Sequence, residues 1–243
     1  MRIAMWSGPR NLSTAMMYAF GQRADFHVMD EPFYAAYLDR TGLDHPMREA
    51  VMSSQPRDPE KVAASLVGPV PDGKPHVYQK HMTQHMVDGI PRDWMRSVRN
   101  VFLIRHPARV IASFAAKYEA LTLADIGFTQ QSELCDALTS DEHTPIVIDS
   151  SDIRDDPEGM LCHLCSVLDL PWDDAMLHWP RGGHPADGVW APVWYGALHA
   201  STGFAGPEGP LPKLEGDLAD LCDRALPHYE RLAQIKLQKT GTV

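Results

Sequence analysis

The stretch WSGPRNLSTAMM, residues 6–17, has the residue types of a phosphate-binding turn. It follows the short apolar run RIAM and leads into a segment with helical periodicity, so the turn is expected to join a strand to a helix. Backbone N–H groups at a helix N-terminus attract anions. We therefore expect this turn to hold a phosphate, with the candidate binding residues Gly8, Pro9, Arg10, Asn11, Leu12, Ser13 and Thr14.

The same turn departs from the GxxxxGK[ST] pattern of ordinary ATP-binding loops. After Gly8 the chain has neither the second glycine nor the lysine of that pattern. The turn therefore indicates an anion site other than an ordinary ATP site. Taken alone, it is equally compatible with a helix cap that carries an exposed arginine.

Other polar residues follow or finish further predicted strands. Glu31 follows FHVMD, Lys80 and His81 finish HVYQKH, and Arg105 follows NVFLI. In open parallel sheets, ligands bind beyond the carboxyl ends of the strands. A single sheet would thus bring these side chains close to residues 8–14.

Apolar segments alternate with segments of helical period, which predicts an α/β fold with a parallel five-stranded sheet between two helical layers. The predicted strands are RIAMWS, FHVMDEPF, HVYQKH, NVFLIRHP and TPIVIDSSD. The predicted helices are LSTAMMYAFGQR, FYAAYLDR, PEKVAASLVG, PARVIASFAAKYEAL, DPEGMLCHLCSVLDL and LEGDLADLCDRALPHYERLAQI, the last interrupted near Pro227. Residues 41–59 are predicted as a loop. Residues 179–212, rich in Gly, Pro and aromatic side chains, are predicted as an ordered loop and a candidate lid.

Length and composition limit the class of protein. The 243 residues, 44% hydrophobic and 22% charged, predict one globular domain over residues 1–243. A net charge of -10 argues against nucleic acid as a partner, because nucleic-acid readers present basic faces. The four cysteines and the lack of a long apolar run predict a cytoplasmic protein with no membrane partner.

Four segments, in this order, resemble the sulfotransferase family that uses 3′-phosphoadenosine 5′-phosphosulfate (PAPS). SGPRNLSTAM is similar to the 5′-phosphosulfate loop of that family, and VFLIRHPARVIASF resembles its 3′-phosphate motif. VYQKHM looks like its lysine-bearing strand, and VIDSSDIRDDPEGMLCHLCSVLDLPW looks like the segment after its fifth strand. The resemblance covers roughly residues 2–172 and implies a fold of the phosphate-loop type.

The resemblance also implies which residues would hold PAPS. Arg10, the loop amides and the hydroxyls of Ser13 and Thr14 would hold the 5′-phosphosulfate. Arg105 and Ser113, eight residues apart, would hold the 3′-phosphate. A lysine after a second glycine is not required in such a loop, so the resemblance accounts for its unusual sequence.

The implied reaction is transfer of a sulfuryl group to a hydroxyl or amine of a small-molecule acceptor, leaving 3′-phosphoadenosine 5′-phosphate and requiring no metal. Arg10 and Lys80 would stabilise charge on the departing phosphate. DEPF resembles the glutamate-proline element of many carbohydrate and bacterial members, so Glu31 is the first candidate for the general base, with His81 and His85 as alternatives.

Two features depart from the family pattern. Leu12 stands where many members have glycine, and His81 directly follows Lys80, whereas cytosolic members separate lysine and histidine by one residue. His81 is therefore expected to point to the opposite face of the strand from their histidine. A phosphate-loop kinase or nucleotide hydrolase, and a non-catalytic nucleotide-binding protein, stay as alternative functions. The sequence predicts neither the acceptor nor an oligomeric state.

Overall fold

The predicted strands form one parallel sheet in the computed structural model, which describes residues 1–116, 121–140 and 144–239. The strands are β1 Arg2–Ser7, β2 Phe26–Asp30, β3 His76–Met82, β4 Arg99–Ile104 and β5 Ile146–Asp149. Their order across the sheet is β2-β3-β1-β4-β5, and every neighbouring pair is parallel. The predicted α/β class and the five-stranded parallel sheet are confirmed.

Helices connect the strands. The described ranges contain the helices α1 Ser13–Gly21, α2 Tyr34–Thr41, α3 Arg48–Ser54, α4 Pro59–Val67, α5 Pro107–Ala115, α6 Leu123–Ile126, α7 Phe128–Leu138, α8 Ser150–Asp155, α9 Pro157–Val167, α10 Ala191–Trp194, α11 Gly196–His199 and α12 Asp217–Ala233. They also contain 3₁₀ turns at Pro71–Gly73, Thr83–His85, Asp93–Ser97 and Asp174–Leu177. In this part of the chain, no helix combines the length and apolar character needed to cross a membrane.

Alternating residues of β1 separate the two faces of the sheet. Ile3 and Met5 pack with α1 and α9 in one apolar cluster, whereas Ala4 and Trp6 pack with α4 and α7 in another. Both faces are therefore covered by helices, as a parallel sheet requires, and the predicted three layers are confirmed. The carboxyl ends of the strands are left as the edge at which a site can form.

Three of the helices begin in the same way, with a capping side chain followed by proline. Asp58, His106 and Asp156 each accept a hydrogen bond from a backbone N–H of the first helical turn. The proline that follows needs no hydrogen-bond acceptor at this position. In α5 this start leaves Arg105 at the end of β4 and carries Ser113 about two turns into the helix.

Residues 41–59 are not wholly loop, as predicted, because α3 lies within them. Val51 of α3 is fully buried in a cluster with Tyr34, Tyr37 and Leu38 of α2. Val51 is the buried residue of this short helix, so apolar residues do not recur at helical spacing. The sequence, rich here in Pro, Asp, Ser and Arg, therefore gives no clear helical signal. No helix was predicted for the residues that form α6 and α7 either.

The predicted interruption near Pro227 is wrong, since α12 runs through it. Leu221 and Ala225 of α12 are buried against Val110 and Ile111 of α5. This packing holds the helix together although proline removes one backbone hydrogen bond. The predicted continuation of α5 over residues 117–120 lies outside the described residues. The prediction of one domain over residues 1–243 stays a prediction.

Candidate functional site

The sheet order places the predicted site residues at one edge. β1 lies between β3 and β4, and its last residue Ser7 is in register with Met82 and Leu103. A cavity of about 430 Å³ opens at this edge. Every site residue predicted from the sequence lines it except Gly8 and His81: the lining includes Pro9, Arg10, Asn11, Leu12, Ser13, Thr14, Glu31, Lys80, Arg105 and Ser113.

The turn between β1 and α1 follows a constrained path. A Cβ at Gly8 would lie 2.6 Å from the backbone oxygen of Ile126, so only glycine fits there. Arg10 has a φ of 54°, in the left-handed region that side-chain-bearing residues rarely occupy. Asn11 stabilises this path, because its Nδ2 donates to the Leu103 backbone oxygen at 2.9 Å and its Oδ1 accepts from the Leu12 N–H at 2.7 Å.

The first turn of α1 supplies donors to the cavity. Helix geometry leaves the first N–H groups of α1 without partners inside the helix, and Ser13 and Thr14 of this turn line the cavity. The partial positive charge of a helix N-terminus adds to these donors. The arrangement can therefore bind an anionic group.

Arg10 and Arg105 connect the turn to α5. The Nε of Arg10 donates to Ser113 Oγ at 3.0 Å, and Arg105 donates to the backbone oxygen of Arg10. Burial and the neighbouring charge of Arg105 lower the pKa of Arg10. The two predicted phosphate-binding elements are thus in direct contact.

Arg105 also belongs to a cluster that was not predicted from the sequence. Its guanidinium, with those of Arg109 and Arg154, forms ion pairs with Glu208, whose side chain is only 4% exposed. The spacing of Arg109, four residues after Arg105 at the start of a predicted helix, is a signal that could have found it. Arg154 and Glu208 come from distant segments, and no local pattern marks them.

A buried ionic cluster lies on the other side of the cavity. The ammonium of Lys80 donates to Asp30 Oδ1 at 2.8 Å and to Glu31 Oε1 at 2.6 Å, and the lysine side chain is 1% exposed. Burial by itself lowers the pKa of Lys80, but the two carboxylates outweigh it and hold the pKa above its usual value. Lys80 therefore stays charged. Asp30 is a site residue that sequence reasoning missed, although it precedes Glu31 at the end of β2.

Tyr195, from the candidate lid, completes this cluster. Its hydroxyl accepts from Lys80 Nζ at 2.6 Å and from Trp190 Nε1 at 2.9 Å, and lies 2.9 Å from Asp30 Oδ2. Burial and the charge of Asp30 raise the pKa of Tyr195 well above its usual value, so the phenol keeps its proton. The hydroxyl thus donates to the carboxylate, and this contact ties part of residues 179–212 to the sheet.

Glu31 lies between the lysine and a histidine. Its φ of 43° is again left-handed, and its Oε2 lies 3.9 Å from His85 Nε2. The His85 ring is stacked between Tyr34 and Tyr37, with centroid distances of 4.8 and 4.7 Å. Its buried Nδ1 has no hydrogen-bond partner among the described atoms. Burial lowers the pKa of His85 well below its usual value, so the ring is neutral at pH 7.

His81 lies away from the cavity. Its ring stacks on Trp6 at 4.4 Å and its Nε2 is 3.3 Å from Gln79 Oε1, on the opposite face of β3 from Lys80. Burial lowers the pKa of His81 to about 3. Of the three candidate bases, the structure therefore brings Glu31 and His85 to the cavity and leaves His81 in the core. The described residues contain no group of three or more His, Cys, Asp or Glu side chains arranged to hold a metal ion.

A family model and curated relatives match nearly the whole of this chain. The model of the family described as "Sulfotransferase domain" matches residues 1–235. "Branched-chain-amino-acid aminotransferase-like protein 2" from Arabidopsis thaliana is 36% identical over 233 residues, which are 95% of this chain and 41% of the relative. The chain thus spans about two fifths of the length of this curated relative, whose name describes the relative alone.

Solved sulfotransferase structures share the fold. The "Sulfotransferase Domain from the Curacin Biosynthetic Pathway" aligns with a TM-score of 0.53 at 15% identity, covering 93% of this chain and 96% of its own. A sulfotransferase from Alicyclobacillus acidocaldarius aligns with a TM-score of 0.52 at 14% identity, covering 96% of both chains. At these identities the likeness shows the fold alone.

Proposed function

The chain belongs to the sulfotransferase domain family, and on this premise we propose that it transfers a sulfuryl group from PAPS to a hydroxyl or amine of a small-molecule acceptor. The proposal is supported above all by the cavity that joins the anion-binding turn, a strand-end arginine and a buried carboxylate. PAPS would supply the activated sulfuryl group. Free thiols at all four cysteines support the cytoplasm as the compartment.

The lining of the cavity fits the charge of this donor. Arg10, Ser13 and Thr14 offer a cation and hydroxyls beside the N-terminus of α1, where we place the 5′-phosphosulfate. Arg105 and Ser113 offer a guanidinium and a hydroxyl for the 3′-phosphate. The 3.0 Å contact between Arg10 and Ser113 supports a single bisphosphate-binding region formed by both elements.

Sulfuryl transfer, like phosphoryl transfer, depends mainly on positioning and on stabilisation of developing charge. In this proposal Arg10 and Lys80 stabilise the charge on the departing phosphate oxygen, and one well-placed donor in comparable sites contributes about 3 kcal/mol. Its two carboxylate partners keep Lys80 charged although it is buried. Because all three ammonium protons are donated to Asp30, Glu31 and Tyr195, Lys80 acts on the leaving oxygen in this proposal by exchanging one of these hydrogen bonds.

Glu31 is the proposed general base. It lines the cavity, and its Oε1 is held 2.6 Å from Lys80 Nζ while its Oε2 faces His85. A carboxylate fixed in this way can accept the proton of an acceptor hydroxyl. His85, neutral and buried beside it, is the second candidate.

Calorimetric titration with 3′-phosphoadenosine 5′-phosphate, beside ATP with magnesium, tests the proposal. We expect the bisphosphate to bind, Arg105→Ala to abolish binding, and Arg224→Ala, an exposed arginine of α12, to bind like the wild type. Binding of ATP with magnesium alone would instead favour a kinase or hydrolase. Binding of the bisphosphate without transfer to a panel of acceptors would favour a non-catalytic binding protein, and binding of neither nucleotide would contradict the proposal.

A further inference from the structure

Residues 206–210, which we call the strap, cross the cluster of Arg105, Arg109 and Arg154. The Glu208 carboxylate of the strap lies 3.1 Å from Arg109 Nε and 2.8 Å from Arg154 Nη1, and also pairs with Arg105. The arginines bind the strap backbone as well: Arg154 Nε donates to the Gly206 oxygen at 2.8 Å, and Arg109 Nη1 donates to the Glu208 oxygen at 3.2 Å. Glu208 is thus held like a bound anion.

The charges of this cluster are not balanced. Three guanidinium groups surround one carboxylate, and the ion pairs of the described residues give Arg105, Arg109 and Arg154 no other acidic partner. Two positive charges are therefore left over. Arginine binds carboxylates and phosphates through the same planar, forked geometry. A phosphomonoester dianion would neutralise the cluster more completely than Glu208 does.

Apart from its contacts with these three arginines, few interactions hold the strap in place. Glu208 points inward, whereas Gly206, Pro207, Gly209 and Pro210 are exposed. Release of the strap would therefore expose little apolar surface and break mainly polar contacts that water can replace. Segments with few buried apolar contacts open at low free energy.

We propose that Glu208 is an internal competitor for a phosphomonoester at Arg105, Arg109 and Arg154, and that the strap must leave these arginines before the phosphate binds. For the 3′-phosphate of the nucleotide, this inference rests on the proposed function. The apparent affinity for the phosphate is the intrinsic affinity multiplied by the fraction of molecules in which the strap is open. A strap that is mostly closed therefore weakens phosphate binding. The strap is thereby an autoinhibitory contact within the chain.

The test uses two probes, inorganic phosphate and 3′-phosphoadenosine 5′-phosphate, titrated into the wild type and into Glu208→Gln. Glutamine keeps the length of the side chain and removes its charge. We expect Glu208→Gln to bind both probes at least about tenfold more tightly, the effect of a strap that is closed in about nine molecules of ten. Glu215→Gln, which removes an exposed charge from the same connecting segment, is expected to bind like the wild type. Adding Arg154→Ala to Glu208→Gln is expected to abolish the gain.

Equal or weaker phosphate binding by Glu208→Gln would overturn the inference. Tighter binding of phosphate without binding of the nucleotide would support it and contradict the proposed function instead. Cleavage of the wild type after Glu208 by a glutamate-specific protease provides a second readout that needs no variant, because Glu208 is held inward by the arginines while the strap is bound. Phosphate is expected to speed this cleavage, whereas slower or unchanged cleavage would overturn the proposal.

Discussion

The buried ion cluster allows a sharp test of what Lys80 does. Lys80→Met keeps an unbranched side chain of similar length and removes the charge that lies 2.8 Å from Asp30 and 2.6 Å from Glu31. Both carboxylates would then be buried without their cation. Removing one partner of a buried ion pair typically costs about 3–5 kcal/mol. Against a typical total stability of about 5–15 kcal/mol, the variant is expected to fold with a much lower free energy of unfolding.

A second substitution separates the structural role from the catalytic one. Asp30→Asn removes one of the two carboxylates, so in Lys80→Met/Asp30→Asn the uncompensated charge falls from two groups to one. We expect the two substitutions to be non-additive, with a coupling of about 1–3 kcal/mol that restores part of the lost stability. Sulfuryl transfer is expected to be about 10²- to 10³-fold slower in both Lys80→Met and the double variant, because the cation proposed to stabilise the leaving group is missing from both.

Urea unfolding followed by tryptophan fluorescence gives the free energies, since the chain has six tryptophans. The wild type, the two single variants and the double variant form a double-mutant cycle. All four are compared at one pH, and sulfuryl transfer is assayed on the same samples. A loss below about 1 kcal/mol for Lys80→Met would refute the reasoning, because it falls outside the cost of an unpaired buried charge. Strict additivity would refute it equally.

Two further substitutions test Glu31 as the general base and the burial of His81. Glu31→Gln is expected to lower turnover about 10²- to 10⁴-fold, the usual contribution of a general base, with little change in nucleotide affinity; an unchanged rate in a transfer assay removes Glu31 from the role. His81→Phe tests the histidine in the core. Burial lowers the pKa of His81 to about 3 in the folded protein, whereas the pKa in the unfolded chain is about 6.5. As the pH drops below about 6.5, only the unfolded chain takes up this proton, so the free energy of unfolding falls. Between pH 7 and pH 5 this loss is about 2 kcal/mol in the wild type, and urea unfolding of His81→Phe is expected to lack it; equal pH dependence of the two proteins would contradict the burial argument.

Sequence patterns predicted the features that depend on neighbours along the chain. The five strands, the helices that begin at Pro59, Pro107 and Pro157, and the turn at residues 8–14 are all local. The spacing from Arg105 to Ser113 is also local, because a strand end and two turns of helix fix it. The resemblance built on these segments is confirmed by the family match over residues 1–235.

The unpredicted parts of the site depend on contacts between distant segments. Glu208 reaches Arg154 across 54 residues, and Tyr195 reaches Lys80 across 115. Neither lies in a segment with a regular hydrophobic period, so the sequence does not mark which of its side chains face inward. His85 was a candidate in the sequence, but only the stacking of two tyrosines against its ring explains its burial. Assignment of roles to the site residues stays a prediction for the variants above.

The missing second glycine of the turn has a consequence for the entropy of binding. A glycine-rich loop samples many backbone conformations and loses them when it closes around an anion. Here the side chain of Asn11, bonded at 2.9 Å to Leu103 and at 2.7 Å to Leu12, fixes the path, with Arg10 in its left-handed conformation. The ordering cost of this turn is therefore incurred during folding. An anion that arrives meets donors already in position, and more of its interaction energy appears as affinity.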